Sequence, residues 1–274
     1  MERYVDVPGG RLFVADDGAG PPILLMHAGI VDLRAWDAMV PGLAAAGHRV
    51  IRYDARGFGR TVTEEVAFSN RADAIAVLDA LGVGRAAVVG NSHGGQIAID
   101  TTLEFPERVV ALVTVGSGPG GFEAPDDRNE APYMAEAERL GSADVPDPDA
   151  IADLDVRLWV DGPGQRPDRV SREIREAVRA MDRPQYVSGH FDGKPISLTP
   201  PANDRLADLS CPTLVINGSL DVSYMAAAAE RLVAAAPNAR VVTIPGVAHM
   251  VGMEVPARLN ELIVDFLTPL RPWS

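Results

Sequence analysis

A serine hydroxyl attacks a carbonyl at neutral pH only beside a base, and an imidazole serves best when a carboxylate fixes its tautomer. The chain offers each of these groups. Val88-Val89-Gly90-Asn91-Ser92-His93-Gly94-Gly95 holds the pattern Gly-x-Ser-x-Gly, between an apolar run that reads as a strand and a stretch that reads as a helix. There the serine occupies a sharp strand-to-helix turn, with glycine where backbones approach closely. The start of the helix turns free N–H groups and a positive dipole end toward any negative charge that develops. A five-residue match is weak by itself; the strand before it and the helix after it make it informative. The competing reading is a glycine-rich turn with an incidental serine.

Of the 5 histidines, His249 is placed to be the base. It follows the last expected strand in Pro245-Gly246-Val247-Ala248-His249-Met250, at the carboxyl edge of the sheet, where Ser92 also lies. Asp221, in Asn217-Gly218-Ser219-Leu220-Asp221, follows the preceding strand on the same edge. The chain order Ser92, Asp221, His249 suits a nucleophile–orienter–base triad. Two blander assignments compete: Asp221 as N-cap of a helix at 222–236, and His249 as a loop histidine. The backbone N–H groups of His93 and Gly29 are the expected oxyanion donors, with Ile30 as the alternative to Gly29. His48 and His190 read as loop or solvent-facing residues.

The elements that must hold these residues follow from periodicity. Residues 4–7 and 12–15 read as a hairpin turning at Pro8-Gly9-Gly10. The continuous apolar run Ile23-Leu24-Leu25-Met26 suits a strand buried on both faces. Strands at 50–53, 86–89 and 111–115 then alternate with helices at 32–46, 70–81 and 93–104. This alternation implies βαβ units, a mostly parallel sheet and helices on both faces, an α/β fold. The rhythm stops at Gly116-Ser117-Gly118-Pro119-Gly120-Gly121. Helical segments at 130–140, 149–160, 168–181 and near 203–208 follow, with no strong strand. Strands at 213–217 and 240–244 and helices at 222–236 and 253–267 restore the rhythm. The expected organisation is a core of 1–117 and 209–274, interrupted by a helical cap at 118–208.

With these residues in place, the chain resembles the α/β-hydrolase fold superfamily, in the branch with a helical cap after the sixth strand. His27-Ala28-Gly29, Tyr53-Asp54-Ala55-Arg56-Gly57-Phe58-Gly59-Arg60, the turn 90–94 and the Asp221 and His249 loops carry the resemblance, which covers nearly the whole chain. It implies an eight-stranded sheet, the triad Ser92, Asp221 and His249, and no cofactor. It further implies that His27 anchors the oxyanion loop and that Asp54 ties down its own loop. Ala28 stands where the family usually has glycine. Serine as nucleophile separates this chain from capped relatives that use aspartate on haloalkanes or epoxides. It leaves open the C–C hydrolases of ring-fission products and the enol-lactone hydrolases.

Composition sets the outer limits. Hydrophobic residues are 47% and charged residues 23%, as in ordinary globular proteins. A formal charge of −13 disfavours nucleic acid and anionic membranes as partners. No run approaches the roughly 20 apolar residues of a membrane span. Met1–Asp6 lacks a signal-like apolar stretch, and Cys211 is the single cysteine, so the cytoplasm is the expected location. Segment 120–205 carries 18 acidic and 11 basic residues, which does not invite a strongly anionic substrate. Ile30, Trp159, Tyr133, Met134 and Met250 are the candidate pocket residues, on the reading that cap and core apolar groups wall a small-molecule site; Met181 could contribute too. Apolar groups there could equally glue cap to core. The expected activity is hydrolysis of a carboxylic ester or lactone of a small, mainly apolar molecule through an acyl-enzyme. The alternatives are C–C hydrolysis or a lyase or cyclase step on the same triad, and a ligand-binding protein with a vestigial triad. A small-molecule substrate is the expected partner, with a homodimer as the candidate assembly.

Overall fold

The computed structural model describes residues 1–124, 129–142, 147–187, 193–271 and 273. Eight strands run through the main sheet: β1 (Glu2–Val7), β2 (Gly10–Gly18), β3 (Pro22–Met26), β4 (Arg49–Tyr53), β5 (Ala86–Asn91), β6 (Val109–Val115), β7 (Thr213–Gly218) and β8 (Ala239–Ile244). Their spatial order is 1-2-4-3-5-6-7-8. The expected β1–β2 hairpin is antiparallel, β2 meets β4 antiparallel, and every later pairing is parallel. A ninth, two-residue strand, Val62–Thr63, joins the edge of β2.

Successive residues of the central strands pack to opposite faces, as the period of two requires. On one face Leu24, Met26, Val88, Leu112 and Val215 meet Ala74, Val77 and Leu78 of helix α2 (Asn70–Ala80) and Ile97 and Ala98 of α3 (His93–Glu104). On the other face Ile23, Leu25, Val89, Val113 and Ile216 meet Leu43, Leu259 and Ile263. Continuous apolar runs in the sequence are therefore strands covered on both sides. Each fully buried leucine or isoleucine there contributes roughly 1.5–3 kcal/mol.

Two expected helices are broken. The stretch 32–46 forms a 3₁₀ turn, Leu33–Trp36, and a short helix α1, Val40–Ala45. The Asp32 carboxylate accepts from Arg34 N–H at 3.0 Å, the Asp54 carboxylate accepts from Leu33 N–H at 2.9 Å, and Pro41 has no N–H to continue an earlier helix. At the C-terminus Pro256 likewise divides the expected helix into Val251–Glu254 and Pro256–Leu267.

Between β6 and β7 the chain forms α4 (Ala131–Gly141), α5 (Pro148–Asp155), α6 (Arg172–Asp182) and α7 (Pro184–Val187). Helix α6 starts later than residue 168, because Ser171 caps it at Ile174 N–H. Helix α5 runs on into a π-helical stretch, Val156–Asp161. The region near 203–208 is two 3₁₀ turns, Ala202–Asp204 and Leu206–Asp208. One strand the sequence did not signal, Lys194–Pro195, pairs with Ala67–Phe68 of the core. Two apolar clusters join this segment to the rest. Val156, Val160, Val170, Val178 and Met181 pack with Ala28, Val31 and Met250, and with Ile30 at the edge. Leu158, Tyr133 and Trp159 pack with Val222, Met225 and Tyr224.

Candidate active site

Ser92 joins β5 to α3 with φ 52 and ψ −117, the only non-glycine positive φ among the described residues. A backbone held there costs about 1–3 kcal/mol and persists only where the surroundings impose it. The surroundings are tight. A Cβ on Gly90 would stand 2.2 Å from Gly94 O, and one on Gly94 would stand 2.2 Å from Met26 O. Glycine at both positions lets β5, β3 and the first turn of α3 close on one another. Ser92 N–H donates to Val115 O at 2.9 Å, which pins the turn to the end of β6. The first intrahelical bond of α3 runs from Gln96 N–H to Ser92 O, so the N–H groups of His93, Gly94 and Gly95 have no partner within the helix.

His249 and Asp221 are both buried. His249 Nδ1 lies 2.9 Å from Asp221 Oδ2 and 3.0 Å from Oδ1. A carboxylate accepts from a ring N–H, so Nδ1 carries the proton and Nε2 is left as the basic nitrogen. Asp221 Oδ1 also accepts from Val222 N–H at 2.7 Å. Helix α8, Ser223–Ala235, has Val222 as its N-cap, so the Asp221 carboxylate is turned to the histidine rather than capping the helix. Gly116, at the end of β6 with φ 50, leaves room for the pair: a Cβ there would lie 3.0 Å from both Asp221 Oδ2 and His249 Nδ1. Asn91 Nδ2 donates to Val115 O at 2.8 Å and to His249 O at 3.4 Å, linking the serine turn to the histidine loop.

The two expected oxyanion donors are brought together, since a Cβ on Gly29 would sit 3.6 Å from His93 Cβ. Their loop is fixed by His27, whose Nδ1 meets Ala28 O at 2.8 Å while Nε2 accepts from Ala55 N–H at 3.0 Å. Burial holds the His27 imidazole neutral, its pKa lowered to about 4. Asp54 accepts from Leu33 N–H and Arg60 N–H, and its backbone carbonyl accepts from Thr61 Oγ1. Burial pushes its carboxyl up to about 6. Both residues therefore anchor loops, as the resemblance implied.

A cavity of about 280 Å³ opens beside Ser92, among His93, Gln96, Ser117, Pro119, Tyr224 and Met225. Burial lowers the His93 pKa, so this wall is uncharged near neutrality. The five pocket candidates fall elsewhere. Trp159 lies tilted against His249, ring centroids 4.6 Å apart and planes at 44°, and the π-helical stretch presents it there. Tyr133 accepts from Gly164 N–H at 2.9 Å and packs near Trp159. Ile30 and the buried Met250 belong to the joint between segment and core. Met134 is 41% exposed and forms no buried wall, because α4 turns that face to solvent. Gln96, Ser117 and Tyr224 were not legible as site residues, although Ser117 sits in the glycine-rich run where the strand–helix rhythm fails. His48 is a loop residue between α1 and β4, as expected, but buried, with Nδ1 at 3.2 Å from Pro21 O, rather than solvent-facing; His190 lies outside the described residues. A larger cavity, about 470 Å³, has Met181 in its lining but none of Ser92, Asp221 and His249, and most of its charges are paired, as Arg34–Asp32, Arg52–Asp37 and Arg60–Glu2.

A strand order of 1-2-4-3-5-6-7-8, with serine, aspartate and histidine at the carboxyl ends of β5, β7 and β8, defines a class of enzyme fold, and the comparisons agree with it. Residues 23–262 match the alpha/beta hydrolase family, and the chain belongs to that family. It is 30% identical to the 2-hydroxy-6-oxononadienedioate/2-hydroxy-6-oxononatrienedioate hydrolase of Paraburkholderia phymatum, over 97% of this chain and 95% of that one. It is 32% identical to the rhodomycin D methylesterase DauP of Streptomyces sp. (strain C5), over 87% of this chain and 88% of the relative. Among solved structures it is similar to Est816, an N-acyl homoserine lactone degrading enzyme, with a TM-score of 0.75 and 28% identity over 96% of this chain and 100% of that one. These relatives are all hydrolases. No described helix is long and apolar enough to cross a membrane.

Proposed function

We propose that this hydrolase cleaves a carboxylic ester or lactone of a small, mainly uncharged molecule, with Ser92 as nucleophile, His249 as general base and Asp221 as its orienter. Ser92 Oγ attacks the carbonyl carbon as its proton passes to His249 Nε2, and the Asp221 carboxylate stabilises the imidazolium through Nδ1–H. The backbone N–H groups of His93 and Gly29 receive the oxyanion. The imidazolium then protonates the departing alkoxide, which leaves as the alcohol or stays tethered if the substrate was a lactone. Water, deprotonated by His249, releases the acid and restores Ser92. Segment 118–208 acts as a cap that shields this chemistry, its two apolar joints closing over His249 and the oxyanion loop.

The observation that carries the proposal is the buried Asp221–His249 pair, tied through Asn91 to a serine held at positive φ on the end of a helix. A merely structural turn would not need the strained serine, and a pure binding protein would not need the paired histidine.

The C–C hydrolase reading rests on the Paraburkholderia phymatum relative, whose name specifies a dioate substrate. The Ser92 cavity favours the ester or lactone instead. Its described lining is uncharged, and two substrate carboxylates would lose hydration there without a counter-charge. The decisive experiment compares p-nitrophenyl esters of increasing acyl length, N-acyl homoserine lactones and a vinylogous dicarboxylate ketone, with wild-type protein and Ser92→Ala. Turnover of esters or lactones that Ser92→Ala abolishes is the expected result. Cleavage of the dicarboxylate ketone alone would transfer the assignment to C–C hydrolysis. Full ester turnover by Ser92→Ala would remove the serine from the mechanism.

A further inference from the structure

Behind Trp159 lies a cluster of ionisable side chains that the hydrolytic cycle does not use. Asp155 closes α5 and Asp182 closes α6, and the two carboxyl groups hydrogen-bond to each other. Two carboxylates have no hydrogen to share, so one of the pair must carry a proton. Asp155 is the acceptor in every other contact. Its Oδ1 accepts from Trp159 Nε1–H at 3.1 Å and its Oδ2 from the Tyr186 hydroxyl at 2.9 Å. Asp182 is fully buried. Gln185 Nε2 donates to its Oδ1 at 3.3 Å, while its Oδ2 finds no donor. A buried carboxyl oxygen without a donor, on the residue paired with the Asp155 charge, is the place for the proton.

We propose that Asp155 and Asp182 are positioning residues that share one proton and, through Asp155, hold the Trp159 indole against the His249 ring. The inference rests on His249 being the general base. Trp159 makes the connection by itself: its N–H is held by Asp155, and its ring lies 4.6 Å from that of His249. It also rides on the π-helical stretch, where the chain leaves α-helical register immediately after Asp155. With the indole fixed, the His249 ring is shielded from solvent on that side and its rotation is restricted.

The same arrangement gives the positioning a pH limit. Burial and the Asp155 charge push the Asp182 carboxyl up to about 8. Among the described residues, the groups facing the pair are Tyr186 and Gln185 from α7 and Trp159 from the π-helical stretch. The arginines of this region are engaged elsewhere. Arg179 and Arg183 bond Asp149 and Asp153, and Arg157 bonds Glu136 of α4. From the core, the ionisable group on Trp159 is His249, itself held by Asp221. Loss of the shared proton thus places two negative charges in one site whose partners among the described residues are all neutral donors. The pair separates and Trp159 is released.

The test is ¹⁹F NMR on the full chain labelled with 5-fluorotryptophan, in which three resonances arise from Trp36, Trp159 and Trp273 and the Trp159 line is assigned by its loss in Trp159→Phe. In the wild type the Trp159 line should titrate with a midpoint near 8. In Asp182→Asn, whose amide donates to Asp155 at every pH, it should stay at the low-pH position throughout. Ester turnover gives a second readout. Between pH 7 and pH 9.5 kcat should fall several-fold in the wild type while KM changes less than twofold, and Asp182→Asn should lose that alkaline limb. A Trp159 line that does not titrate, or that titrates identically in Asp182→Asn, overturns the proposal. Should Asp182→Asn fold poorly, Asp155→Asn serves instead. It removes the charge that holds the shared proton, and an unchanged Trp159 titration there would equally overturn it. The NMR arm needs no turnover, so failure of the serine mechanism, seen as full activity in Ser92→Ala, is distinguishable from failure of the positioning pair.

Discussion

Replacement of Arg169 should loosen His249, the proposed general base, from a distance. Arg169 lies between the inserted segment and the core, and its guanidinium makes four bonds. It donates to Glu254 Oε2 at 2.5 Å, Val160 O at 2.6 Å, Asp161 O at 2.7 Å and Gly246 O at 3.0 Å. Glu254 uses its other oxygen to accept from Ala248 N–H at 2.9 Å, one residue before His249. One side chain therefore ties the Trp159-bearing stretch to both ends of the His249 loop. Arg169→Met keeps much of the aliphatic stem but leaves Glu254, 7% exposed, without its cation. Breaking a buried pair by removing one partner costs about 3–5 kcal/mol. Arg169 is 16% exposed, so water can partly replace it, and about 3 kcal/mol is expected. For a chain of this size that lowers Tm by about 6–10 °C. Thermal unfolding followed by far-UV circular dichroism reads the stability, and p-nitrophenyl butyrate hydrolysis should show a fall in kcat of about tenfold with a smaller change in KM. The double variant Arg169→Met with Glu254→Gln removes the stranded charge and should recover about 1–2 kcal/mol relative to Arg169→Met alone. A single variant within about 1 kcal/mol of wild type, or a double variant less stable than the single, would refute the reasoning.

Three further outcomes follow from the same geometry. Asp221→Asn should leave the fold intact, because the amide oxygen can still accept from Val222 N–H, yet lower kcat about 10³–10⁴-fold by removing the charge behind the imidazolium, measured by steady-state ester hydrolysis. Ser92→Ala and Ser92→Gly should both be inactive, but the glycine variant should be about 1 kcal/mol more stable by urea denaturation, since only glycine adopts φ 52 without strain; equal stabilities would argue against a strained turn. His27 is held neutral with its pKa lowered from 6.5 to about 4, so the unfolded chain binds its proton more readily throughout that interval. Its contribution should be complete above pH 6.5 and decline toward pH 4 by roughly 3 kcal/mol. Asp54, raised to about 6, acts in the opposite sense over the same range, so the observable is the difference between wild-type and His27→Asn stability curves. A difference that does not change between pH 4 and 6.5 would contradict the assignment.

The candidate triad was legible because each of its members sits where a local signal marks a strand end. Gly-x-Ser-x-Gly, the apolar run before it and the helical period after it place Ser92 with short-range information alone. Asp221 and His249 likewise follow apolar runs that can only be strands. Helix boundaries slipped for two reasons: from afar, Asp54 draws Leu33 N–H into a 3₁₀ turn, and locally, Pro256 restarts the last helix.

The sequence by itself determined the fold class, the order of the strands along the chain and the three residue types at the carboxyl edge, since all follow from periodicity of two or 3.6 and from glycine at crowded turns. Tertiary structure alone decided which neighbours surround them. Gln96, Ser117 and Tyr224 reach Ser92 from three separate elements, Trp159 is turned onto His249 by a π-helical stretch, and Met134, which has the same apolar character, faces solvent. Local period specifies which face of a helix is apolar. Which partner that face meets depends on the path of the chain between β6 and β7, and this is fixed by packing against α8 and the loop after β3 over long sequence separations.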